Sequence, residues 1–258
     1  YGGDGKMDKV FVIKPEIEAE IGLQTCKAAS KIDDVISWDS GGGSYQITYS
    51  VPSNRFSQAT NQGEILTHCQ GLGDADAADY LCKAAGKQFA PHKHMHPVSV
   101  DVVDTAMSTL ITDLHTAADW LQYPSGAHVV GFGGQTAMFY VGRMCSGIED
   151  YLKDGNHNAQ ECSISDKPVF RDRVEELLKE VCSMDWDSAS KRFDEMHNSM
   201  AIYPDWKGAT DLPEKELILP KLMFLLAVMK KLDFNGYKYV CTTGNCLGVA
   251  QHQSFWQN

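Results

Sequence analysis

No stretch of the chain reaches the ~18 to 20 consecutive apolar residues that a membrane-crossing helix needs. The longest, "LMFLLAVM" at 222–229, stops at Lys230 and Lys231. It reads as a buried helix, and no membrane span is expected. Nor does any cluster of Lys and Arg interleave with aromatics, and 34 acidic residues against 23 basic ones leave a net charge of −11. A surface of that sign repels a phosphate backbone at long range, so no nucleic acid is expected as a partner. The usual enzyme signatures are missing too: HExxH, the GxSxG elbow, the lysine of a phosphate-binding loop and the third glycine of a dinucleotide fingerprint.

The CxxC knuckle of a metal-binding protein is also absent, although the chain has eight cysteines, at 26, 69, 82, 145, 162, 182, 241 and 246. An even number of scattered cysteines suits pairwise bridging in an oxidising compartment. The competing reading is a set of buried free thiols, since Cys is among the most buried residue types. Spacing and parity favour disulfides, with Cys241–Cys246 as the one local bridge suggested by the turn "CTTGNC". The chain begins at Tyr1, as a processed secreted protein would.

With 258 residues, 43% of them hydrophobic, the chain can bury a core without cross-links. "KVFVIK" (9–14) reads as a strand stopped by Pro15, and "EIEAEIGLQTCKAASK" (16–31) as a helix with acids in its first turn. "VISWDSGGGSYQITYSV" (35–51) is two β-rich runs around three glycines, a hairpin. "EILTHCQGLG" (64–73) reads as a short helix closed by glycines, and "DADAADYLCKAAGKQF" (74–89) as a helix opened by aspartates. Further helices are expected over 101–122, 169–184, 187–201 and 214–232, and a hairpin-like segment over 237–251. The fold class this suggests is α+β. It is a mostly helical, disulfide-stabilised single domain, 1–258, with a small sheet made by N-terminal and C-terminal strands.

Chemistry concentrates in "APHKHMHPV" (90–98), where His92, His94 and His96 alternate. In a strand they share one face, but two-residue steps of ~6.6 to 6.8 Å put the outer pair ~13 Å apart. One ion therefore takes an adjacent pair and needs a third ligand, such as His68, His115 or Asp113. Imidazole donors suit zinc or copper. The plainer reading is a solvent-facing segment whose histidines titrate near neutral pH.

Two other segments carry weaker signals. In "TDLHTAAD" (112–119), His115 and Asp119 stand four apart, so a continuous helix would let the carboxylate orient the imidazole for general-base work. In "VVGFGGQTA" (129–137), a strand, a glycine turn and a helix start follow one another, and backbone amides at such a start can hold an anion. The alternative there is that the glycines let the helix pack on the strand. Together these readings describe a secreted, extracellular protein that binds a protein partner on a target cell of a host or competitor, as an effector or toxin. The alternative is a secreted metal-assisted hydrolase using His92, His94 and His96.

Overall fold

The computed structural model of the chain describes residues 13–51, 64–88, 90, 94–122, 127–132, 137–146, 168–199, 215–240 and 248–249. Helix α1 (Pro15–Ser30) starts where expected, with Pro15 at its first turn and Glu16 and Glu18 beside the positive end of the helix dipole. Of the strand expected over 9–14, only Ile13 and Lys14 are described, and they form the non-helical lead into α1. Strands β1 (Val35–Ser40) and β2 (Tyr45–Ser50) make the expected antiparallel hairpin, with Ser40 opposite Tyr45.

The segment read as a short helix is instead strand β3 (Ile65–Gln70), paired antiparallel with β2 along its whole length. A six-residue segment of mixed polarity has no decisive period of its own, so pairing with a ready neighbour outweighs local helix preference. Helix α2 (Asp74–Ala84) follows, its first turn closed by Asp76 Oδ2, which accepts the Gly73 N–H at 2.9 Å. Helix α3 (Val100–Asp113) is shorter than the 101–122 helix expected. Gln70 of β3 captures its end, donating to the Asp113 carbonyl at 2.9 Å and accepting the His115 N–H at 2.7 Å. These two bonds satisfy groups that a longer helix would have satisfied itself.

The rest of the described chain comprises β4 (His128–Phe132), α4 (Ala137–Ser146), β5 (Val169–Phe170), α5 (Arg171–Ser183), α6 (Trp186–Ser199), α7 (Ile218–Lys231) and β6 (Gly236–Val240). Six strands form one mixed sheet in the order β3-β2-β1-β4-β6-β5, in which β1, β4 and β6 run parallel. This corrects the expected small sheet of terminal strands. The central partner of β1 is β4, from the middle of the sequence, which non-local pairing selects and no local pattern announces. The fold is a mixed α/β arrangement.

Successive residues on a strand face opposite sides, and the two sides are covered differently. Val35, Val130, Phe132 and Val240 pack beneath α1 through Leu23, Cys26 and Ala29. Trp38, Tyr45, Ile47 and Tyr49 face the other layer, where α7 packs against α2, α3, α4 and α5. Helix α7 is apolar on every side from Leu222 to Met229, and those side chains are fully buried. Pro220 sits in its first turn, where the missing N–H breaks no helical bond. Glycines permit the close packing: a Cβ on Gly131 would meet the Met138 sulfur at 2.7 Å, and one on Gly142 the Tyr239 ring at 2.9 Å.

The five described cysteines, 26, 69, 82, 145 and 182, are all free thiols, so the disulfide framework expected from spacing and parity is not found. Burial explains most of them, as the competing reading had it. Cys26 is fully buried and donates to the Val130 carbonyl at 3.6 Å, and Cys82 lies against the Met95 sulfur at 3.4 Å. Burial also pushes the Cys145 thiol up to about 12, far from the thiolate form that oxidation requires. The local bridge suggested for Cys241–Cys246 lies outside the described residues.

Candidate functional site

The parallel strands end together. Trp38 is level with Gly131 and Gly131 with Tyr239, so one step further Asp39 comes level with Phe132, itself paired with Val240. Ligands of open α/β sheets bind in the crevice beyond the carboxyl ends of such strands, where backbone groups are left unpaired and helices begin. Here β1 turns through Gly41, Gly42, Gly43 and Ser44 into β2, with the Gly41 N–H bonded to the Ser44 carbonyl at 2.9 Å.

Helix α2 holds this turn from behind. The Asp74 N–H donates to the Gly41 carbonyl at 3.2 Å and the Ala75 N–H to the Gly42 carbonyl at 3.0 Å. A glycine is required at 73, because a Cβ there would stand 2.5 Å from the Gly41 oxygen and the Gly42 carbon. The first amides of α2 are thus committed to the turn. What faces outward is the backbone of Gly42 and Gly43, both exposed, where an added methyl group would meet nothing within 4 Å. Successive glycines leave a backbone that an anion can approach closely.

On the α1 side of the turn stand polar groups. Gln46 is buried, and its amide donates to Ser44 Oγ at 3.1 Å and to Glu18 Oε2 of α1 at 3.4 Å. Half-buried Asp39 lies close enough to Cys26 to reinforce the rise that burial causes in that thiol's pKa. On the other side is a buried charge pair. Lys221 Nζ of α7 is 4.0 Å from Asp74 Oδ2 and 4.8 Å from the centre of the Tyr140 ring of α4, and both charged side chains are 3% exposed. The Ser40 hydroxyl, at the end of β1 on the Trp38 face, is buried without a hydrogen-bond partner.

The residues singled out from sequence stand elsewhere. His92 lies outside the described residues. His94 is exposed and stacks flat on Trp186, ring centres 4.2 Å apart. His96 is buried between Trp186 and Phe193. Neither of its ring nitrogens makes a hydrogen bond of regular geometry. Burial holds its pKa below the ordinary value, against a weaker opposite pull from the Met184 and Val181 backbone. His115 lies beyond the end of α3, and Asp119 begins a separate 3-10 turn, so the shared helix that would align them is absent. His115 instead meets the edge of the His68 ring, whose Nε2 is 3.1 Å from the Tyr45 hydroxyl. Among the described residues no three His, Cys, Asp or Glu side chains gather as ligands for zinc, copper or another ion. No helix among them is long and apolar enough to cross a membrane.

Both glycine segments stand out in the sequence, 41–43 as a hairpin and 131–134 as the lead into a helix; of the second, Gly131 and Phe132 are described. The chain leaves β4 at Phe132, the level at which β1 enters its glycine turn. Lys221 and Asp74 read from sequence as helix residues only. Nothing in the sequence pairs them.

A mixed sheet with helices on both faces, and a glycine turn at the carboxyl end of β1, defines an α/β protein. No protein-family model and no curated protein sequence matches the chain. Solved structures do match in fold. A Ppx/GppA family member from Aquifex aeolicus is 14% identical with a TM-score of 0.57, over 96% of this chain and 65% of that one. The type II variant of the Aquifex aeolicus Ppx/GppA phosphatase gives 14% and 0.57, over 93% and 63%. An exopolyphosphatase from Cytophaga hutchinsonii gives 13% and 0.55, over 96% and 66%. The chain spans about two thirds of the length of these structures or slightly less. Unpaired thiols and this fold together remove the grounds on which a secreted, extracellular effector or toxin, or a secreted hydrolase, was expected.

Proposed function

We propose that this chain binds the end of a phosphate chain, as its magnesium complex, at the carboxyl edge of β1, β4 and β6, and that it belongs to a phosphatase acting on phosphoanhydrides. The observation that carries the reading is the exposed Gly42–Gly43 backbone, held from behind by the first amides of α2. Structures of the same fold, titled as a Ppx/GppA phosphatase and an exopolyphosphatase, support it.

The flanking carboxylates define the form of the ligand. Glu18 and Asp39 beside the turn repel a bare polyanion at close range, but they suit one that arrives with a hard divalent cation. Magnesium keeps several waters and is bound by one or two carboxylates together with substrate phosphates, so no complete protein cage is required. The glycine backbone then meets the terminal phosphate. The Gln46 amide bonds both Ser44 and Glu18, and in this reading Glu18 takes the proton from an attacking water.

The test is calorimetric titration of the chain with tripolyphosphate, with and without magnesium, alongside Gly42→Glu. The glutamate side chain enters open space, so the unfolding midpoint is expected to stay that of the wild type. Magnesium-dependent, saturable binding that weakens by about tenfold or more in the variant supports the reading. Absence of binding, or binding indifferent to Gly42→Glu, overturns it.

A further inference from the structure

A lysine buried as completely as Lys221 is unusual, because removing an ammonium group from water is costly unless the surroundings compensate. The surroundings are specific. Asp74 is the first residue of α2, Tyr140 lies in the first turn of α4, and Lys221 lies in the first turn of α7. Three helix starts therefore meet around one ammonium. All three are positive dipole ends that a cation would not choose, and the compensating groups are the Asp74 carboxylate and the Tyr140 ring face.

The same Asp74 donates its backbone N–H to Gly41, and its neighbour Ala75 donates to Gly42. A continuous path runs from Lys221 Nζ through the Asp74 side chain to the Asp74 and Ala75 amides, and from there to the carbonyls of the glycine turn. Replacing the pair by apolar groups would fill the layer at least as well, since buried ion pairs are poor stabilisers in themselves. What apolar groups would not do is fix the start of α2 against the turn.

We propose that Lys221 is the positioning residue of the phosphate site: through Asp74 it holds the Gly41–Gly43 turn in the shape that receives the ligand. The assignment of a ligand to that turn rests on the function proposed above, whereas the mechanical link from Lys221 to the turn does not. Lys221 itself touches no ligand. In an acidic protein its buried charge, little screened by salt, also offsets the Asp74 charge beneath the turn.

The experiment compares wild type, Lys221→Met, Lys221→Arg and the double change Lys221→Met with Asp74→Asn, each as the full chain. Amide hydrogen exchange is read without ligand, tripolyphosphate affinity with magnesium, and the denaturant midpoint for global stability. Lys221→Met is expected to raise exchange at the Ala75 amide by about tenfold while strands β1 and β4 keep wild-type protection, and to weaken affinity by a similar factor. Lys221→Arg restores most of both. Uniformly faster exchange with the midpoint lowered in proportion means a merely structural role and overturns the proposal, as does a Lys221→Met variant with wild-type exchange and affinity. If Lys221→Met alone does not fold because it strands a buried carboxylate, the double variant removes both charges. It is expected to fold and to show the same local rise at Ala75; its absence there overturns the proposal. A wild-type chain that binds no tripolyphosphate defeats the functional reading alone, and the exchange data still decide the link from Lys221 to the turn.

Discussion

Gly42 and Gly73 stand on opposite sides of one backbone turn and respond differently to a methyl group. A Cβ at 42 meets nothing, whereas a Cβ at 73 is driven into the Gly41 and Gly42 backbone, which cannot swing aside as a side chain would. Gly73→Ala is therefore expected to destabilise the protein by about 1–3 kcal/mol, while Gly42→Ala leaves it nearly unchanged. Denaturant unfolding of the two variants checks this, and equal midpoints would mean that α2 retreats from the turn without cost. His96 supplies a pH dependence. Its pKa is lowered in the folded protein by burial, so the unfolded chain binds the proton more readily. Stability is accordingly full above the ordinary value of about 6.5 and falls as pH drops through it towards the lowered one. His68, lowered chiefly by burial and then by His115, contributes in the same direction. His96→Phe, which also removes two unsatisfied nitrogens, is expected to be at least as stable as wild type near neutral pH and to lose less stability on acidification. Urea midpoints at about pH 7.5 and about pH 5.5 measure it, and a wild-type slope in the variant would place the titrating group elsewhere.

The end of α3 shows how one element is decided by another. Leu114 adopts an extended conformation and the helix stops, although "TDLHTAADW" carries no glycine or proline to stop it. The signal is the Gln70 amide on β3, which takes up both the last carbonyl and the next free N–H. Gln70→Ala is expected to lose about 1–2 kcal/mol and to speed hydrogen exchange at His115; unchanged exchange would mean that the irregular stretch after Asp113 is set by its own residues. The same dependence explains what the sequence made legible. The 35–51 hairpin, α1, α2, α5, α6 and α7 were readable because their periodicities, caps and turn glycines are local. Strand β3 was not, since only the neighbouring β2 makes Ile65–Gln70 extended. The candidate site was readable in its parts alone. The triple glycine, Asp74 and Lys221 each have an ordinary local reading, and the register of β1 and the packing of α7 bring them to one place. Cysteine parity misled because burial and bridging leave the same trace in composition.

For the molecule as a whole, a net charge of −11 and the polyanionic ligand proposed above set a condition on encounter. Long-range repulsion slows association at low ionic strength, and salt screens it within about 10 Å at 0.1 M. The association rate of magnesium tripolyphosphate is therefore expected to rise between about 0.01 and 0.1 M salt, opposite to the behaviour of proteins that bind nucleic acid through basic patches. Stopped-flow mixing across that range measures it, and a rate that falls with salt would point to a locally basic entrance.

The strand order has a consequence in time. β1 and β2 can pair as soon as both exist, but β1 has its other edge reserved for β4, and β4 has its own reserved for β6. A ribosome emits these strands in the order 1, 4, 6, so the growing chain carries an open parallel edge until Gly236–Val240 has emerged. Through that interval the finished hairpin is half of an interface, exposed to whatever other strand arrives first.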